Sequence, residues 1–147
     1  MGNEAIHVLA ANRNSSLRVD LWDWEGGHAH AFYKAFYVGN ELESNYTLIL
    51  WGFKGDAGDA LMYHSGSAFS TPDVDNDKWS RHCAGQEGSG WWYNSCAYAT
   101  LNNAYYNFSL PENAERKIVD GIMWYHWKES YIYAMRKVEM KTRPTYR

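Results

Sequence analysis

The chain has 147 residues, a formal net charge of −3, and 46% hydrophobic against 21% charged residues, which suits one globular domain able to bury its own core. Three prolines and no low-complexity tract exclude a disordered or collagen-like chain, and the weakly negative balance excludes a duplex-binding domain, which needs a basic face. Aromatic residues are the outlier at 17%, with eight Trp, twelve Tyr and five Phe, a content that predicts strands and structured loops over a helical bundle.

Asn3 to Ala11 reads as a short helix. Leu17 to Trp22 alternates apolar and polar residues, as does Phe32 to Val38, and Glu25-Gly26-Gly27 between them supplies a turn. Asn45 to Phe53 is a third strand, closed by the Gly- and Asp-rich turn Lys54 to Asp59. From Leu61 to Asn107 periodicity fails, and irregular stretches of that length inside a domain usually carry function. Gly121 to Arg143 contains apolar alternation through Tyr131 to Met135 and Val138 to Met140, the pattern of a last strand that returns to the sheet. Six basic residues (Lys128, Arg136, Lys137, Lys141, Arg143, Arg147) face only Glu129 and Glu139 in this region, which reads as a solvated strand and tail in preference to a polyanion site. The sequence shows no internal repeat and no linker.

No apolar run approaches the roughly 20 residues of a membrane span, so no membrane insertion is expected. Met1 to Asn12 lacks the features of a secretory leader. Cys83 and Cys96 are the only cysteines, and a single disulfide closing a short loop and two free buried thiols are both open. Three N-x-S/T triplets, at Asn14, Asn45 and Asn107, are possible glycosylation sites. Together these features point outside the cell, and the chain is then a mature portion of a secreted protein or carries an added Met.

Asp73, Asp75 and Asp77 stand two residues apart, and closely spaced carboxylates on a loop suit a hard cation such as Ca²⁺. An EF-hand is excluded, since Lys78 occupies the position that needs Gly and Ala84 stands twelfth from Asp73. On spacing alone, metal binding and a solvated acidic turn are both open. His28-Ala29-His30 fits a solvated turn better than a metal pair, and Trp91-Trp92-Tyr93 fits core better than a stacking platform. Ser65 beside His64 has neither a G-x-S-x-G elbow nor a zincin His pair around it, so no enzyme is expected.

The run Phe69-Ser70-Thr71, Asp75-Asn76-Asp77, Cys83-Ala84, Gly88 to Asn94, Cys96, Leu101-Asn102, Gly121-Ile122, Trp124, Trp127-Lys128 and Met140-Lys141 resembles the fibrinogen C-terminal domain family. Gly2-Asn3-Glu4, Leu17-Arg18-Val19, Trp24-Glu25-Gly26, Val38-Gly39, Tyr46-Thr47-Leu48 and Gly55 to Asp59 resemble it upstream. The similarity covers nearly the whole chain in order. Family members begin well upstream with a further subdomain, so residues 1–147 resemble a partial domain comprising the central and C-terminal subdomains, with an uncovered sheet edge as an aggregation liability.

The resemblance implies an α+β fold: a twisted, mainly antiparallel central sheet with short helices and a long, loop-rich C-terminal metal and ligand subdomain. It implies Ca²⁺ held by the side chains of Asp75 and Asp77 and the carbonyls of Trp79 and Arg81, with Asp73 secondary. It also implies a Cys83–Cys96 disulfide and a cis peptide at Ser95-Cys96 that turns backbone N–H groups into a ligand pocket. The pocket positions are Gln86, Glu87, Ser95, Cys96, Ala97, Ile118 or Val119, and Ser130 or Tyr131. Ala97 stands where a His is common, and Ile118 or Val119 and Ser130 or Tyr131 where lectin-like members carry tyrosines, so a weakened preference for N-acetyl groups is expected. The implied protein is a secreted, calcium-binding recognition module, homo-oligomeric at full length. It binds carbohydrate or acetylated surface groups in a lectin-like manner in innate defence, or else a protein ligand, receptor or matrix component through the same C-terminal face. No nucleic acid is expected as a partner.

Overall fold

Strand-forming alternation and a bend at Trp24 to Gly27 produce the first hairpin of the computed structural model, which describes residues 1–11, 15–106 and 121–145. Strand β1 (Ser15–Trp22) pairs antiparallel with β2 (His28–Val38), Leu17 opposite Tyr33 and Trp22 opposite His28. Helix α1 (Asn3–Ala10) precedes them, and its His7 Nδ1 lies 2.7 Å from the Val38 carbonyl at the end of β2. A short helix α2 (Glu41–Ser44) follows, its first turn capped by the Asn40 side chain accepting from Glu43 N–H at 2.8 Å.

The third strand, β3 (Leu48–Gly55), begins three residues later than the alternation suggested. Asn45 and Tyr46 have φ of 49° and 58° and close α2 in the left-handed region, so neither continues an extended strand. A 3₁₀ turn (Leu61–His64), helix α3 (Cys83–Glu87) and β4 (Ala99–Thr100) occupy the irregular stretch, and β4 pairs with the short β5 (Met123–Trp124) beyond it. The last strand is β6 (Lys137–Pro144), antiparallel to β1 from Ser15 opposite Pro144 to Trp22 opposite Lys137. The alternation at Tyr131 to Met135 is not a strand. Its backbone serves the smaller sheet instead, with Met135 N–H donating to the Ile122 carbonyl at 2.8 Å.

The main sheet runs β3-β2-β1-β6, so β3 and β6 are its edges among the described residues. Its inner face, with Leu17, Val19, Leu21, Tyr33, Phe36, Val38, Leu48 and Leu50, is continuous with Leu61, Trp91, Trp92, Tyr93 and Trp124 in one core. Buried aromatics tie loops to that core through their polar ends. Tyr33 donates to Asp59 at 2.8 Å, Trp124 Nε1 to the Ala57 carbonyl at 2.9 Å, and Trp92 Nε1 to the Tyr46 carbonyl at 2.7 Å.

The outer face is polar and organised around Asp20, which is only 3% exposed. Arg18 donates to both its oxygens, Lys141 Nζ lies 3.0 Å away and His28 Nε2 3.1 Å away. The Arg18 hydrogen bonds, helped by Lys141 and His28, hold the Asp20 carboxyl well below the usual carboxylate range against the opposing effect of burial. Asp20→Asn leaves these cations without their counter-charge and should cost about 2 kcal/mol at pH 7, read from the urea midpoint. Because the folded pKa is depressed, the loss should be full above about pH 4 and shrink as pH falls further.

Candidate functional site

The C-terminal loops are held together at one point by a buried imidazole. His64 is fully buried, its Nδ1 lies 2.7 Å from the Trp92 carbonyl, and its Nε2 lies 3.1 Å from both the Tyr98 and Ala99 N–H groups. Two N–H donors at Nε2 make that nitrogen an acceptor, so the ring is neutral and its proton sits on Nδ1, donated to Trp92. Ser65 Oγ is engaged with Leu50 backbone at 2.9 and 3.3 Å, so the two residues do not form a nucleophile and base.

Between the residues that His64 ties lies the segment Ser95-Cys96-Ala97. The Ser95-Cys96 peptide is cis, and Cys96 is joined to Cys83, at the start of α3, with Cα atoms 5.7 Å apart. Tyr63 donates to the Ser95 carbonyl at 3.0 Å, and Asn94 Nδ2 donates to the Tyr63 carbonyl at 2.9 Å.

Over this segment stands a group of tyrosines. The Tyr98 ring centroid lies 4.4 Å from Tyr63, 5.3 Å from Tyr125 and 6.1 Å from Tyr131, and Tyr125 lies 4.4 Å from Tyr131. His126 meets Tyr98 and Tyr125 edge-on. Tyr131 is 45% exposed, so the cluster presents aromatic surface to solvent. Ser130 is spent on the turn beneath, its N–H donating to the Tyr125 carbonyl at 3.0 Å and its Oγ accepting from Ile132 N–H at 3.1 Å. Sequence reasoning named Tyr131 only as an alternative to Ser130 and missed Tyr63, Tyr98 and Tyr125. Their one signal was the surplus of tyrosine, because contacts between residues this far apart have no local pattern.

Gln86 and Glu87 lie on α3, Gln86 exposed and Glu87 accepting from Asn103 Nδ2 at 2.9 Å. Ile118 and Val119 lie outside the described residues, as do Asn14 and Asn107. Asn45 is exposed at the end of α2. His28 and His30 point to different carboxylates, Asp20 and Asp56, each at 3.1 Å.

The acidic loop adjoins the same segment. Asp77 Oδ1 accepts from Trp79 N–H and Oδ2 from Cys83 N–H, both at 2.8 Å, while Asp75 Oδ1 accepts from Asp77 N–H at 3.1 Å. Each carboxylate oxygen keeps a further lone pair. Among the described residues no donor reaches the carbonyl oxygens of Trp79 or Arg81 and no cation pairs with Asp75 or Asp77. Two carboxylates and two unengaged carbonyls on one turn fit the chemistry of Ca²⁺, with solvent completing its shell. Asp73 is drawn aside, its carboxylate accepting from Thr71 Oγ1 at 2.7 Å. Lys78 N–H donates to the Asn94 carbonyl at 3.0 Å, so this loop and the cis segment share a hydrogen bond as well as the disulfide.

These features, a mainly antiparallel sheet with a disulfide-linked acidic loop and a cis segment, define a fibrinogen-type globular domain. The chain belongs to the family of fibrinogen beta and gamma chains, C-terminal globular domain, which it matches over residues 1–145. It is 47% identical over 145 residues to angiopoietin-related protein 7 of Bos taurus, covering 98% of this chain and 40% of that protein. It is 40% identical over 158 residues to the fibrinogen alpha chain of Mus musculus, covering 98% and 20%. Among solved structures, the fibrinogen-like globe domain of human ANGPTL6 superposes with a TM-score of 0.90 at 34% identity, covering 99% of this chain and 63% of that one. The lamprey fibrin D-dimer complexed with the peptide Gly-His-Arg-Pro-amide superposes with a TM-score of 0.85 at 38% identity, covering 97% and 49%. The chain thus spans about two fifths of the length of the angiopoietin-related relatives.

The His64 arrangement has a measurable consequence. Burial pushes its pKa down from 6.5 to about 4 against the opposing hydrogen bond to Trp92. Between those values the unfolded chain binds more protons than the folded one, so acid removes stability, by on the order of 3 kcal/mol across the interval. Thermal unfolding followed from pH 7 to pH 4.5 should show a steeper loss in the wild type than in His64→Gln, whose amide keeps a donor and an acceptor without titrating.

Proposed function

We propose that the chain is a secreted, extracellular recognition module whose C-terminal face binds a protein segment, with a Ca²⁺ ion at Asp75, Asp77 and the carbonyls of Trp79 and Arg81 holding that face in shape. The observation that carries this reading is the tyrosine group over Ser95-Cys96-Ala97. Four clustered rings offer broad, rigid, half-polar surface, which suits side chains of a peptide or receptor loop better than one small acetyl group. Ala97 contributes no imidazole, and Ser130 is committed to its own turn, so the polar contacts a compact acetyl slot needs are few. The family relationship and the similarity to a fibrin fragment complexed with a peptide support binding over catalysis. The lectin-like reading, with a role in innate defence, is the competing one, and sugar rings also stack on tyrosine. A glycan at exposed Asn45 is compatible with the secreted location.

Titration by NMR with Gly-His-Arg-Pro-amide and, separately, N-acetylglucosamine distinguishes the two. Peptide should shift the amides of Ser95, Cys96, Ala97 and Tyr98 saturably, and Tyr98→Ala should weaken it by about tenfold, the loss of one well-packed aromatic contact. Saturable shifts with millimolar sugar and none with peptide would restore the lectin reading.

Calcium is tested without any ligand. A cation that binds the native state alone adds about 2.7 kcal/mol at a hundredfold excess over its Kd, so melting should rise in millimolar Ca²⁺ relative to EDTA. Asp77→Ala should abolish the difference, and identical wild-type melting in both buffers would remove the ion from the proposal.

A further inference from the structure

Basic residues scattered through the sequence meet on the outer face of the main sheet. Register places Lys54, Phe32, Arg18 and Lys141 directly opposite one another across β3, β2, β1 and β6. Directly paired residues share a face, so this row holds three cations within about 14 Å, at about 4.8 Å per strand. One row further, Arg143 stands opposite Ser16, and Lys34 faces Gly52, whose absent Cβ would lie 2.7 Å from the Lys34 Cβ. Two rows the other way, Lys137 stands opposite Trp22. Among the described residues, six cations from four strands therefore face the same way, against Asp20 and Glu139 within the sheet and Asp56 at its rim. The excess of three positive charges contrasts with a whole-chain balance of −3.

Some of these cations are already committed and others are not. Arg18 and Lys141 serve Asp20, while Lys137 and Lys141 serve Glu139 at 2.7 and 2.6 Å. Among the described residues no carboxylate pairs with Lys34, Lys54 or Arg143. The internal pairs hold the row upright and leave the outer three to attract an anion. Aromatic surface lies beside them: Lys34 Nζ stands 5.8 Å from the Trp51 ring centroid, and Trp51 is 58% exposed. Lys137 Nζ stands 4.4 Å from the Trp22 ring centroid, and Trp22 stacks on His28.

We propose that this outer sheet face is a second binding surface, independent of the C-terminal face, and that it takes a sulfated polysaccharide of the heparin type. A flat row of cations matches an extended polymer with charges repeated along it, and the exposed Trp51 indole matches the apolar side of a sugar ring in a way that bare phosphates do not require. Three of the cations, Lys137, Lys141 and Arg143, come from the basic C-terminal stretch. Strand pairing turns what reads in sequence as a solvated tail into one side of a shared surface.

The test uses the 147-residue chain, with heparin as probe, at about 0.15 M NaCl, where exposed charges more than about 8 Å apart are largely screened and an isolated cation gives little retention. The chain should be retained on immobilised heparin, and Lys34→Gln/Lys54→Gln/Arg143→Gln should bind about tenfold more weakly with unchanged thermal stability, since all three side chains are exposed. Tyr98→Ala should bind heparin like the wild type, which separates this surface from the C-terminal one. Failure to be retained, equal retention of the triple variant, loss of heparin binding in Tyr98→Ala, or tighter binding to phosphatidylserine vesicles or DNA than to heparin would each overturn the proposal.

Discussion

A single neutral imidazole holds the C-terminal half of the domain in place. His64 spends all its hydrogen-bonding capacity on backbone, giving its one proton to Trp92 and accepting from Tyr98 and Ala99. Those partners flank the segment that carries the cis peptide, the disulfide and Tyr98, so the position of the aromatic cluster follows from where one ring sits. Burial keeps the imidazole neutral, and neutrality is what lets Nε2 accept two donors. An aliphatic side chain or a protonated imidazolium cannot fill this place, because either leaves the Tyr98 and Ala99 N–H groups unpaired in the core.

The same economy recurs wherever a loop meets the sheet. Among the described residues the domain has few long elements, and the stretch between β3 and β6 contains one-turn helices and two-residue strands. Such a region cannot be held by repetitive backbone ladders. Aromatic side chains replace them, since an indole or phenol buries a large apolar body and still delivers one directed hydrogen bond to a distant carbonyl or carboxylate. Tyr33 to Asp59, Trp124 to Ala57 and Trp92 to Tyr46 are three such ties. The 17% aromatic content is therefore largely structural, with Tyr131 in the group around Tyr98 left exposed.

How much of this was legible depended on the range of the interaction. Alternation located β1 and β2 because half-buried strands imprint a period of two on their own residues. It placed β3 three residues early, because the left-handed conformation of Asn45 and Tyr46 is set by the capping of α2 and leaves the hydrophobic pattern untouched. It read Tyr131 to Met135 as strand, although Tyr133, Ala134 and Met135 are buried in succession and bond to Trp24, Glu25 and Ile122. The acidic loop and the cysteines were legible through family resemblance, being short and ordered along the chain. The tyrosine cluster was not, since it joins residues 63, 98, 125 and 131 and no window of sequence contains it.

The outer sheet face illustrates the same limit for electrostatics. Net charge is a property of the whole chain, whereas attraction is set by what shares a surface. Lys54, Arg18 and Lys141 are scattered across 124 sequence positions and become neighbours only when β3, β2, β1 and β6 align in register. A one-residue slip of β6 against β1 would turn Lys137, Lys141 and Arg143 inward and bring Val138 and Met140 out. The Asp20 pairs oppose such a slip, because Lys141 reaches this nearly buried carboxylate only in the observed register. The ion cluster around Asp20 thus acts less as a source of raw stability than as a register pin. It fixes β6 on β1, and with it the cationic surface outside.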